Sequence, residues 1–134
     1  MPTAVIYPAL SYRDAPAAIR FLCDAFGFET LMEVPNTDGT IAHAEMSLGG
    51  AVIMLSSEKP EMGWSSPLGL PAVNQTLYVA IDNPDEHYSR AKAAGAEIVR
   101  EPQNTDYGSR DYGSKDLEGH HWWFGTYRPT GKDA

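Results

Sequence analysis

Two stretches of this chain carry apolar residues at helical spacing, and short segments of alternating character surround each. Ile19, Leu22, Cys23 and Phe26 fall at i, i+3, i+4 and i+7 and form one apolar stripe. Tyr88, Ala91 and Ala94 mark a smaller face on a second helix. The first helix follows Asp14-Ala-Pro16 and ends at Gly27; the second follows Asp82-Asn-Pro84 and ends at Gly95. Asp to Pro is two residues and Asp to Gly thirteen in both. The Asp side chain caps the first turn, Pro is tolerated there, and Gly supplies the left-handed exit. Around these helices the period falls to two. Strands are expected at 4–12, 28–34, 40–48 after Asp38-Gly39, and 51–56 after Gly49-Gly50. A second set is expected at 75–81, 96–101, 109–116, and 120–127 after Glu118-Gly119. Each half therefore reads strand, helix, strand, strand, strand. Residues 57–73 hold three prolines, two glycines and Trp64, and read as a linker or lid.

This pattern predicts an α+β fold, one domain over 1–134 made of two βαβββ modules, at about 3–57 and 74–128, joined by 58–73. A length of 134 residues suits one domain and leaves no room for two of full size. Hydrophobic residues are 43% and charged residues 21%, an ordinary globular balance. The net charge of −8, with no basic stripe, argues against nucleic acid and anionic membrane as partners. No apolar run has the length of a membrane span, and the start lacks the pattern of a signal peptide. Cys23 is the lone cysteine, so it forms no internal disulfide and reads as core; a reducing, cytoplasmic setting is expected.

The paired βαβββ pattern resembles the vicinal oxygen chelate superfamily, the glyoxalase, bleomycin-resistance and extradiol-dioxygenase group. The most specific segment is the C-terminal one, Asp106 to Tyr127, in which Asp116-Leu-Glu-Gly119-His-His-Trp122 is similar to the family's Asp-Pro-x-Gly-x-x-Trp ending with Leu117 in place of Pro. His43-Ala-Glu45 and the run Gly49 to Leu55 are similar to its third and fourth strands. The resemblance implies two curved sheets around a cleft. It also implies, in the metal enzymes, a ligand on the first and fourth strand of each module. Carried over by spacing, those positions are Tyr7, Met54, Gln75 and Trp123; a shift of one residue offers Ile6 and Thr76 on the first strands. Tryptophan has no lone pair to donate, and a thioether suits Cu(I) rather than hard or borderline divalent ions. No divalent metal and no other cofactor is therefore expected, which places the chain nearest a metal-free bleomycin-resistance-like or glyoxalase-like branch.

Alternation then describes the expected cleft. With Trp123 inward, so are His121, Gly125 and Tyr127, while Trp122 and Phe124 pack under the helices. Tyr7, Ala9 and Ser11 face inward on one first strand, and Gln75, Leu77 and Val79 on the other. Ile41, His43, Glu45 and Ser47 share the face opposite Ala44 and Met46. His43 and Glu45 are either an acid–base pair or a polar pair at a sheet edge. Tyr107 and Arg110 either grip an anionic or planar ligand or form surface and core contacts. Their facing differs with the glycines used to align the two halves: Gly27/Gly95 matches His43 with Asp111, and Gly50/Gly119 matches it with Tyr112. Trp64 is either a lid aromatic or a plug. His120 and His121 point to opposite faces, and His87 reads as a surface residue. The expected function is binding of a small planar or cationic organic ligand in an aromatic cleft without a metal, by a homodimer. The alternative is a small-molecule enzyme (lyase, isomerase or dioxygenase type) using His43 and Glu45 or an atypical metal site.

Overall fold

A computed structural model describes residues 3–129. Strand β1 (Ala9–Tyr12), helix α1 (Ala15–Phe21) and strands β2 (Glu29–Pro35), β3 (Ile41–Leu48) and β4 (Ala51–Ser57) make the first module. Strand β5 (Leu77–Ala80), helix α2 (Pro84–Ala93) and strands β6 (Glu97–Asn104), β7 (Arg110–Lys115) and β8 (His121–Gly125) make the second. Each module is its own four-stranded mixed sheet, ordered β1-β4-β3-β2 and β5-β8-β7-β6, with the first pair parallel and the rest antiparallel. The fold is α+β with two βαβββ modules, as the pattern predicts. No helix among the described residues is long and apolar enough to cross a membrane.

The first strands are shorter than the alternation suggests. Residues 3–7 stay outside the sheet; Pro8 accepts from the Met54 N–H at 2.8 Å but has no N–H to give, and Val5, Ile6 and Tyr7 are exposed. Helix α1 closes through a π-helical turn, Leu22–Phe26, before Gly27 at φ 82°. Asp14 caps α1, its carboxylate accepting from the Ala17 N–H at 3.1 Å. The cap of α2 is Asn83, not Asp82: its side chain accepts from Glu86 N–H, and Asp82 pairs with Arg128 instead. Asparagine caps a helix as well as aspartate does, so the sequence has two adjacent candidates.

That one-residue offset changes what faces outward. Ala9 pairs with Met54 in the first sheet, and Tyr78 pairs with Trp123 in the second. Tyr78 is thus the counterpart of Ala9, and Thr76 rather than Gln75 the counterpart of Tyr7. Leu77 and Val79 pack against the core and do not line the cleft face. In the same way Glu45 pairs with Met54 and Gly113 with Trp123, so His43 corresponds to Asp111. Ile41 is also buried in the core rather than on the face with His43, because the β2–β3 register shifts between Val34 and Pro35.

The helix-facing sides of both sheets meet in one core. Leu10, Tyr12, Ala44, Met46, Ile53 and Leu55 come from the first, and Tyr112, Trp122 and Phe124 from the second. Phe26 sits between them, its ring 5.5 Å from Trp122 and 4.9 Å from Phe124. Because these sides turn inward together, the opposite face of each sheet looks outward.

Candidate functional site: two outward sheet faces

On the outer face of the first sheet a pocket of about 650 Å³ lies beneath the connecting segment. Its lining includes Ser11, His43, Met54, Trp64, Gln75 and His120. His43 Nε2 lies 2.8 Å from Glu45 Oε2. An ionised carboxylate only accepts, so that nitrogen carries a proton, and in the neutral ring Nδ1 keeps its lone pair. His120 repeats the arrangement: Nε2 donates to the Ser11 carbonyl at 2.9 Å, and the ring packs edge-on against Tyr12. His120 thereby carries a second-module residue into the first module's pocket, a role its neighbour-opposed position in the sequence does not signal.

The segment above the pocket is anchored by buried polar contacts. Ser66 is fully buried; its hydroxyl donates to Glu118 at 2.5 Å and its N–H to Glu58 at 2.8 Å. Glu118 also accepts the N–H groups of Arg13 and Asp14, at 2.6 and 2.7 Å, at the start of α1. Its neighbour Asp116 accepts from the N–H groups of Glu118, Gly119 and His120, from Tyr12 Oη at 2.5 Å and from Trp122 Nε1 at 3.0 Å. Burial beside this carboxylate pushes the Tyr12 hydroxyl well above the ordinary tyrosine range. The Asp116–Gly119 turn is therefore a fastener between modules. Trp64 stands at the pocket mouth, paired through its backbone with Lys59, whose ammonium lies 5.6 Å from the indole centre.

The outer face of the second sheet is aromatic. Trp123 lies flat across β7, and a Cβ at Gly113 would sit 2.7 Å from its ring atoms. Gly125 plays the same part beside Tyr78, where a Cβ would meet the Tyr78 hydroxyl at 2.9 Å and Asp111 at 2.5 Å. Arg100 reaches over from β6, its guanidinium 4.8 Å from the Trp123 ring centre and paired with the buried Asp111 carboxylate. His121 shares this face by alternation. Tyr78 and Arg100 are absent from the sequence-predicted set. The first is hidden by the capping ambiguity and the second by the irregular register between Ile98 and Arg100, which breaks strict alternation.

The remaining predicted residues are placed elsewhere. Arg110 lies on the helix side, where it forms a two-bond pair with Asp85 of α2 at 2.8 Å for both contacts. It does not point to the cleft face. Tyr107 is exposed in the β6–β7 hairpin and packs edge-on against Tyr127. Tyr7 borders a separate open groove of about 1030 Å³ between residues 5–8 and β5. His87 is not a surface residue: Nε2 donates to the Phe26 carbonyl at 2.8 Å, Nδ1 faces the Tyr112 hydroxyl at 2.5 Å, and the Phe124 ring lies tilted against it at 4.2 Å.

The positions that hold a divalent metal in the superfamily's metal enzymes do not suit one here. Met54 and Trp123 occupy the fourth strands, and Trp123 is covered by a guanidinium that repels a cation. Among the described residues no group of three or more His, Cys, Asp or Glu side chains is arranged to hold a metal.

Comparison with known proteins agrees with this architecture. An uncharacterised Mycobacterium tuberculosis protein, Rv0887c, is 34% identical over 121 residues, 88% of this chain and 71% of that protein. The structure of TioX from Micromonospora sp. ML1 superposes with a TM-score of 0.74 at 32% identity, covering 95% of this chain and 98% of that one. The fosfomycin resistance protein FosX from Listeria monocytogenes shares the fold at 16% identity, with a TM-score of 0.69 over 96% of this chain and 94% of its own. The family model for the glyoxalase/bleomycin resistance protein/dioxygenase superfamily matches residues 5–124, and the chain belongs to that superfamily.

Proposed function

We propose that this protein binds a small planar organic molecule between the outward sheet faces, without the divalent metal centre of the superfamily's enzymes. The observation that carries this reading is the pocket of about 650 Å³ on the first sheet, with Met54 where a ligand to metal would stand and His43, Trp64 and His120 around it. Apolar and aromatic walls with a few directed polar groups suit an organic guest. The aromatic face with Trp123 and Tyr78 supplies a stacking surface. In one chain these faces look away from each other, so a closed cleft needs the second module of another copy opposite the first module's pocket. A homodimer is therefore part of the proposal. A cytoplasmic setting accords with the single cysteine.

A second reading has its own support in the His43–Glu45 bond, which leaves one basic imidazole nitrogen beside the pocket. Under that reading the bound molecule is a substrate and His43 a general base. One experiment separates the readings. Purified protein is analysed for metals, then screened by thermal shift against planar metabolites and antibiotics. A ligand at about 100 times its Kd stabilises by about 2.7 kcal/mol. Ligands that raise the melting temperature, emerge unchanged after prolonged incubation and need no metal support the binding reading. Turnover that is lost in His43→Ala supports the enzyme. Stoichiometric zinc, nickel, iron or manganese removable by chelator with loss of ligand binding overturns the metal-free reading.

A further inference from the structure

The indole of Trp123 is the natural landing place for a cation on the second sheet, since its face offers cation–π attraction. That face is already taken. Arg100 lies over it at 4.8 Å, so a guest cation arriving there meets the chain's own positive charge. Gly113 makes the arrangement possible, because a Cβ at that position would lift the ring off β7.

Arg100 also has donor capacity to spare. A guanidinium carries five N–H donors, and only Nη2 is hydrogen-bonded, to Asp111. Nε is buried with no acceptor, the one such side-chain nitrogen or oxygen among the described residues, and lies out of a ligand's reach; the donors left for a guest are on the two terminal nitrogens. Another charged pair, Lys115 with Glu97 at 3.4 Å, is already matched. His121 adds a further donor-bearing ring along β8.

We infer that Arg100, lying over Trp123, selects the charge of the ligand: a planar aromatic molecule bearing an anionic or strongly hydrogen-bond-accepting oxygen, and not a cation. The aromatic part of such a molecule lies against the exposed side of the guanidinium, and its oxygen takes the free donors on the terminal nitrogens. Asp111 holds the guanidinium in place, which makes Arg100 a specificity-determining residue. This inference rests on the proposed binding function and deepens it, naming an anionic guest in place of the cationic one that the sequence also allows.

The test uses two probes with one ring system and opposite charge, naphthoate and naphthylmethylammonium, titrated calorimetrically at low salt. Wild-type protein is expected to bind naphthoate about tenfold more tightly than the ammonium, a difference of about 1.4 kcal/mol. Arg100→Met is expected to lose that preference or reverse it, because the Trp123 face is then open to a cation. Arg100→Lys keeps the charge but loses the flat stacked plane, and is expected to weaken naphthoate binding several-fold; it serves also if Arg100→Met does not melt cooperatively. Equal affinity for the two probes, a preference for the ammonium, or full retention of naphthoate selectivity in both variants overturns the inference. If neither probe binds while another compound from the thermal screen does, the charge selection fails and the binding function stands. If no compound binds at all, both fail.

Discussion

Trp123 shows how much turns on a single side chain and its neighbours. It faces away from the core, whereas Trp122 beside it is fully buried against Phe26 and Phe28. Trp123→Ala is expected to weaken any ligand found by screening and to cost clearly less than the about 3–5 kcal/mol typical of a buried aromatic. Urea denaturation and calorimetry on the same variant check both halves. A full-sized stability loss with unchanged affinity would mean the indole plugs the fold instead. The contrast between the two arginines is equally local. Arg110 stands in the motif-rich segment and draws attention in the sequence, yet Asp85 holds it on the helix side. Arg100 stands in an unremarkable run, Ile98-Val-Arg-Glu101, and its facing follows from a strand irregularity that depends on the partner strand.

At the level of elements, α2 packs on the π-helical turn after α1, and His87 sits in that contact. Arg90 adds bonds to the carbonyls of Asp24 and Cys23 at 3.1 and 3.0 Å. Burial holds the His87 imidazole below its ordinary range, with the Arg90 charge adding to the effect and the Phe26 carbonyl opposing it. A histidine depressed in the folded state binds fewer protons than in the unfolded chain. Its contribution is therefore complete above the unfolded value of about 6.5 and declines as pH falls from there to the lower folded value. Denaturation midpoints measured from pH 8 to 5 are expected to drop across that window. His87→Gln is expected to flatten this part of the profile, at a cost of about 1–3 kcal/mol at neutral pH from imperfectly matched partners. An unchanged slope would assign the acid sensitivity to other groups.

For the whole molecule, the modules are joined on their helix sides, and their outer faces are left open apart from the connecting segment over the first. Strand β2 is exposed along its entire length, including Leu31, Met32 and Val34. An edge strand of this kind needs a cover or a partner. Light scattering at micromolar concentration is expected to give the mass of a dimer, twice 14.7 kDa. Leu31→Lys together with Val34→Lys, both exposed in the protomer, is expected to shift it toward monomer and to reduce ligand affinity in parallel. A wild-type monomer that binds ligand normally would show that one chain completes the site.

Short-range physics made the elements readable along the chain. Helical stripes, caps, glycine exits and period-two runs each act over a few residues, so eight strands, two helices, the βαβββ repeat and the opposite facing of Trp122 and Trp123 follow from local pattern. The unsuitability of Met54 and Trp123 as metal ligands follows from side-chain chemistry alone. What required the folded molecule lies between distant residues. His87 meets the Phe26 carbonyl across 61 positions, and His120 meets the Ser11 carbonyl across 109. Asn83 and not Asp82 caps α2, which moved Tyr78 onto the outer face and Leu77 into the core. The alignment of His43 with Asp111, open in the sequence, was settled by strand pairing to Met54 and Trp123. Pairing register and module docking depend on which surfaces meet, and no window of neighbouring residues carries that information.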